Sequence, residues 1–400
     1  MLDDLKADRS RLAYLAAQIL DLERSLSALR AEQTLAQGRL DAYKYPILTL
    51  PNEITSEIFI HFLPIYPAPP PLIGIHSPTF LTRICRTWRE IALATPQLWR
   101  SIGISGMLFR YRGERRISEA WANRSKTCPL SININDRSDI GPTLLAGIIP
   151  HRARWEHLRL LVPPHSLAAM NGPMPLLRHL DLDIAGASAS AGNNVLTFHG
   201  VPLLRTVILQ GGYVLSRVTL PWEQLTSLTL KHLKPSACAP ILQQARNLVH
   251  CDLQVWNISG LDDYQGPDIV LPYLESLVLG FLSVRKPTTD FIHTFMVPAL
   301  RTLELPENCL GPYPVVSLES FILKSGCTLQ KLRILQGNLE RENSYPLAFP
   351  SIPDFSFTRS DDERLSETND NDESTDDDED SEIESGSHSS HAESDSESEL

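Results

Sequence analysis

No run of apolar residues in this chain approaches the roughly 18 that a membrane-crossing helix requires, so no membrane partner is expected. The opening residues, MLDDLKADRS, lack the basic start and apolar core of a secretory signal. The expected location is therefore intracellular, cytoplasmic or nuclear. The six cysteines (Cys85, Cys128, Cys238, Cys251, Cys309 and Cys327) show no paired spacing and no C-x-x-C. That pattern fits reduced, mostly buried thiols rather than a disulfide framework. Cys85 lies on an apolar helix stripe and reads as core, not as a nucleophile. Also missing are the glycine-rich phosphate cradles, the H-E-x-x-H zinc motif and the G-x-S-x-G nucleophile turn. No catalytic residue, metal or cofactor is assigned, and the chain is not expected to be an enzyme.

What is present is uneven. The net charge is −12, yet residues 361–400 hold 18 acidic residues and one arginine, which leaves the preceding 360 residues at +5. So mild a positive balance gives no footprint for nucleic acid. The acidic segment has few apolar residues and no aromatics, so it cannot offset its own ordering entropy. Disorder is expected from about residue 358. His388 and His391 lie inside it and give no metal site. Thirty prolines in 400 residues point to many short elements separated by breaks.

Residues 5–43 carry a heptad seam. Leu5, Leu12, Ile19, Leu26, Gln33 and Leu40 form one series, and Leu15, Leu22, Leu29, Ala36 and Tyr43 form the other. Two readings are open: a coiled-coil homodimer, or a long helix laid on the chain's own body. A polar Gln33 in the first series would help to fix register.

The stretch LPNEITSEIFIHFLP (50–64) reads as a short helix bounded by prolines. Pro51 suits its start, and Glu53 complements the helix dipole there. Ile54, Ile58 and Phe62 recur every four residues, with Phe59 and Leu63 beside them. A proline-rich loop follows (64–78). Then FLTRICRTWREIALATPQLW places Leu81, Ile84, Cys85, Trp88 and Ile91 on one helix face. Either the whole apolar stripe is internal core, or part of it is reserved for another protein. This pairing of segments resembles the F-box, in particular the F-box-like proteins of mushroom-forming fungi, which often carry an N-terminal coiled coil. The matching positions are Leu50, Pro51, Glu53, Ile54, Ile58, Phe59 and Leu63, then Leu81, Ile84, Cys85, Trp88 and Trp99. The departure is the proline-rich insertion between the two halves. The resemblance implies a small helical hairpin docking on a Skp-family adaptor, and through it on a cullin in a ubiquitin ligase. Ten positions would carry that contact: Leu50, Pro51, Glu53, Ile54, Ile58, Phe59, Leu63, Leu81, Ile84 and Trp88.

Further on, residues 113–126 read as a helix, 129–136 alternate like a strand, and a helix and turn follow to residue 155. From residue 155 one phrase recurs: an apolar residue, two others, an apolar residue, one other, an apolar residue. It appears as WEHLRL, LRHLDL, LRTVIL, LTSLTL, LVHCDL, LESLVL, LRTLEL and LQKLRI. Eight copies at spacings of this kind resemble leucine-rich repeats, although the consensus asparagine is missing. A single unit cannot bury its apolar face, whereas stacked units can, through a parallel strand ladder. Outward positions between the inward apolar residues include Arg159, Asp181, Thr229, Asp252, Glu304 and Arg333, the candidate contact for an unknown protein target.

The expected fold is thus α+β to α/β in four segments: a coiled-coil helix (1–46), an F-box-like helical domain (47–103), an irregular leucine-rich-repeat-like solenoid (104–357) and a disordered acidic tail (358–400). The expected function is substrate recognition for a cullin-based ubiquitin ligase, with a non-catalytic scaffold as the alternative.

Overall fold

The structure is a computed structural model. It describes residues 2–42, 46–105, 114–135, 141–163, 170–184, 196–211, 215, 218–255, 266–281, 289–337, 341 and 343–358. The acidic tail and its expected disorder lie outside the described residues, as does Asn257 with its sequon.

Helix α1 (Leu2–Ala42) is uninterrupted because no proline or glycine cluster breaks it, and Asp3, Asp4 and Arg39 complement its dipole. It has no buried residue. Leu12, Ile19 and Leu26 remain about half to two-thirds exposed. The seam is therefore not laid on the chain's own body.

Three short helices follow: α2 (Asn52–Phe62), α3 (Pro78–Ile84) and α4 (Arg86–Ala94). Two details differ from the sequence expectation. Pro51 lies one place before the helix, as its cap, and its carbonyl accepts the Thr55 N–H at 3.0 Å. The single helix expected around 80–94 is split at Cys85. That residue is extended, and its Sγ accepts the Trp88 N–H at 3.4 Å, so the thiol caps α4 instead of filling a core. A turn at Pro96–Trp99 closes the unit, and Trp99 Nε1 donates to the Ala92 carbonyl.

The remainder is built on one sheet of eleven strands, all paired in parallel and almost in chain order. The strands are β1 (Ser101–Ser105), β2 (Leu130–Asn135), β3 (Trp155–Val162), β4 (His179–Ile184), β6 (Thr206–Gln210), β8 (Ser227–Leu233), β9 (His250–Val255), β11 (Ser276–Phe281), β13 (Thr302–Pro306), β14 (Lys331–Leu335) and β15 (Asp354–Thr358). Four two-residue strands form two smaller sheets: β5 (Leu196–Thr197) with β7 (Val218–Thr219), and β10 (Ile269–Val270) with β12 (Phe295–Met296). Parallel neighbours need a crossover for each pairing. Among the described connections, some contain a helix, such as Pro235–Gln244 and Pro314–Ser325, and others only a short strand.

All eight repeat phrases fall on this sheet. In each, the first apolar residue is buried before the strand (Leu177, Leu204, Leu225, Leu248, Leu274, Leu300 and Leu329, with Trp155 opening β3). The other two fill one face, as in Leu180 with Leu182 and Leu303 with Leu305. A side-chain period of two forces the alternate residues onto the other face. Three strands lie beyond the eight phrases. β2 was legible as a strand, whereas β1 and β15 were not. The expected boundaries at 103/104 and 357/358 fall inside β1 and β15.

Candidate functional site

Two surfaces merit description. The first is the face of α2 and α3. Within α2 the inward residues are Thr55 and Phe59, four apart, and the Phe59 ring meets Trp88 edge-on at 4.9 Å. Rotating the helix by one residue gives the opposite line: Ile54, Ile58 and Phe62 are 50%, 44% and 41% exposed. Leu50 and Ile84 are exposed as well. Of the ten positions expected to meet an adaptor, Leu50, Pro51, Glu53, Ile54, Ile58 and Ile84 lie at the surface. Leu63 and Trp88 are half-buried, and Phe59 and Leu81 belong to the interior. These last two therefore shape the unit from within; they have no surface to offer a partner.

The second surface is the outward face of the large sheet. Register places one residue from each strand in line: Gly103, Asn133, Arg159, Asp181, Ile208, Thr229, Asp252, Val278, Glu304, Arg333 and Ser356. All six expected target positions are in this row. Four of them are not free charges. Arg159 Nε lies 3.1 Å from Asp181 Oδ2, and Arg333 Nη1 lies 3.5 Å from Glu304 Oε2. Thr229 stands between the two pairs, next to Asp252. Asp252 Oδ1 is shut off from solvent with no hydrogen-bond partner among the described residues. Burial raises the Asp252 pKa, and neighbouring Glu304 adds to this while Lys231 opposes it. Burial likewise raises that of Asp181, against the pull of Arg159.

Two places earlier in each strand runs a second outward row, which includes Ser101, Ser131, His157, His179, Thr206, Ser227 and His250. The His157 and His179 rings stack at 4.3 Å, 7° from parallel. Burial lowers both pKa values, and each stands near Arg178, which opposes a second positive charge.

The proline-rich segment between α2 and α3 is not a loose insertion. It lies across the first strands of the sheet. The Pro67 carbonyl accepts two hydroxyls, from Ser101 Oγ at 2.8 Å and Ser131 Oγ at 2.7 Å. The Tyr66 hydroxyl donates to Glu156 Oε2 at 2.9 Å, and its ring meets His157 edge-on and takes the Arg100 guanidinium over its face at 4.0 Å. Gly103 permits the close approach, because a Cβ there would stand 2.9 Å from the Pro69 ring. The segment's far end is tied to α3, whose cap Ser77 donates to the Leu72 carbonyl and accepts the Thr79 N–H.

This strap converts an open face into a groove of about 820 Å³, walled on one side by Pro69–Ile73 and floored by Asn133, Arg159, Asp181, Asp183, Gln210 and Lys231. Sequence reasoning missed Tyr66, Ser101, Ser131 and the histidine pair. No local motif marks them, because their partners are 34 to 90 residues away. The arrangement offers paired charges, amides and one desolvated carboxylate in a walled trough. That equipment suits the binding of polypeptide groups, and no nucleophile–base pair stands within it. A scan against protein-family models finds no match, and no curated protein matches the chain.

Proposed function

We propose that this chain is a substrate-recognition subunit for a cullin-based ubiquitin ligase, in which an F-box-like unit at residues 47–103 holds a Skp-family adaptor. The observation that carries the reading is the split character of α2. One side, through Thr55 and Phe59, is committed to the interior, while Ile54, Ile58 and Phe62 are left uncovered in the segment that resembles the F-box. An apolar line kept at the surface of a water-soluble unit marks a partner site. The parallel sheet with its regular row of apolar phrases supports an irregular leucine-rich-repeat-like solenoid as the second half. Its strapped groove then takes the target. The chain's contribution to rate is proximity: it holds a target near a transfer reaction carried out by another protein.

The test is purification of the tagged chain from cells, with probing for a Skp-family adaptor and a cullin. Recovery of both supports the reading. Recovery of neither, under conditions where a known F-box protein retains both, leaves the scaffold alternative.

A further inference from the structure

Helix α1 is 41 residues long, buries none of its own side chains and leaves its leucine seam uncovered. We propose that its occupant is the α1 helix of a second copy, and that the two run antiparallel, with Leu12 opposite Leu29 and Ile19 opposite Leu22. The reasoning does not depend on the ubiquitin reading. It rests on what each orientation brings together.

In a parallel pair, identical seam positions meet. Asp8, which occupies a seam position one heptad before Leu15, would face its own copy and bury two like charges. The flanking positions then contribute little. Asp4 meets Arg9 of the second copy, but Arg11 meets Ala16 and Glu32 meets Gln37. In the antiparallel pair proposed, Asp8 faces Gln33 of the second copy, so a carboxylate meets an amide that can donate to it. The two polar residues that interrupt the seam are matched, and every other layer is apolar: Leu5 with Ala36, Leu12 with Leu29, Ile19 with Leu22 and Leu26 with Leu15. On the flanks Asp4 meets Arg39 and Arg11 meets Glu32, each twice by symmetry. The cost is Arg9 against Arg30, also twice. Sliding the antiparallel pair by one heptad either way is worse. One shift sets Asp8 against Leu40, Arg11 against Arg39 and Glu23 against itself. The other sets Asp8 against Leu26 and Asp4 against Glu32.

The consequence is geometric. At a rise of 1.5 Å per residue the overlapped helices span roughly 60 Å. The chain leaves the coil at opposite ends in the two copies, so the two recognition units are held far apart rather than side by side.

The test uses the full chain, in which α1 substitutions touch no buried residue. Sedimentation equilibrium gives the dimer dissociation constant. Arg11→Glu and Glu32→Arg should each weaken it roughly tenfold, because each converts two attractive flanking pairs into repulsive ones. The double variant should return it to near the original value. In parallel pairing both single changes would be nearly silent. Cross-linking gives an independent answer: chains with Leu12→Cys should link to chains with Leu29→Cys, mapped by mass spectrometry against the native cysteines. A linked Leu12→Cys homodimer, or silent single reversals, overturns the antiparallel orientation. A monomer at 100-fold above the concentrations used for the other domains' folding assays overturns the second copy as occupant.

Discussion

The strap's attachment can be dismantled with one side chain. Tyr66→Ala removes the hydroxyl that donates to Glu156, the ring edge against His157 and the face under Arg100. A hydrogen bond to a charged partner contributes ~1.5–3 kcal/mol, and a cation–π contact at a partly exposed site ~0.5–1 kcal/mol. Glu156 keeps Arg178 at 3.3 Å, so its carboxylate is not stranded by the change. The loss attributable to the strap is then roughly 2–3 kcal/mol, near the lower end of those contributions combined. Since 1.4 kcal/mol is a factor of ten, local opening should become roughly 30- to 150-fold more frequent. Hydrogen exchange reads this at the amides of Ala68, Leu72, Ile73 and Gly74. They should exchange faster by about that factor, while amides of the central strands, such as Leu230 and Leu253, keep their protection. Gly103→Val should act in the same direction by pushing a branched side chain into the Pro69 ring. If exchange across 65–77 is unchanged in both variants, the strap is not held by these contacts and the groove wall is misassigned.

The two faces of α2 should separate cleanly by denaturant unfolding: Phe59→Ala costs ~3–5 kcal/mol as a buried aromatic, whereas Ile54→Ala or Ile58→Ala costs under about 1 kcal/mol; equal costs would show the faces reversed. The histidine pair makes stability pH-dependent. Both folded-state pKa values lie below the ordinary 6.5, so the unfolded chain binds more protons there. Their contribution is complete above pH 6.5 and is lost as pH falls through that value towards the folded ones. Unfolding in urea at pH 7.5 and 5.5 should show this, and His157→Asn with His179→Asn should flatten the difference. Asp252 has the opposite sign: its raised folded pKa penalises the charged form, so Asp252→Asn should raise the midpoint at pH 7 and have no such effect below pH 3.8.

The repeat strands were legible because each phrase repeats a period-two pattern that only a buried sheet face demands; Leu228 with Leu230 and Leu277 with Leu279 are interchangeable in that sense. β15 was missed because its inward residues are Phe355 and Phe357 without the leading leucine. β1 was missed because Ile102 and Ile104 follow the Trp99 turn too closely to read as a separate element. The break at Cys85 was hidden by a stripe that continues across it in helical spacing. Of the candidate surfaces, the α2 line was visible as an excess of apolar residues. The groove was not, since a proline-rich run reads as a loop wherever it goes, and only the distant serines, Glu156 and His157 say where it lies.

The central claim is an adaptor contact through the exposed line of α2, and it is tested most directly with purified components. Titration of a Skp-family adaptor with the full chain should give saturable binding. Ile54→Asp with Ile58→Asp should weaken that binding at least 100-fold while leaving the melting temperature within about a degree of the original. Absence of binding by the unaltered chain, or equal binding by the double variant, would contradict the account.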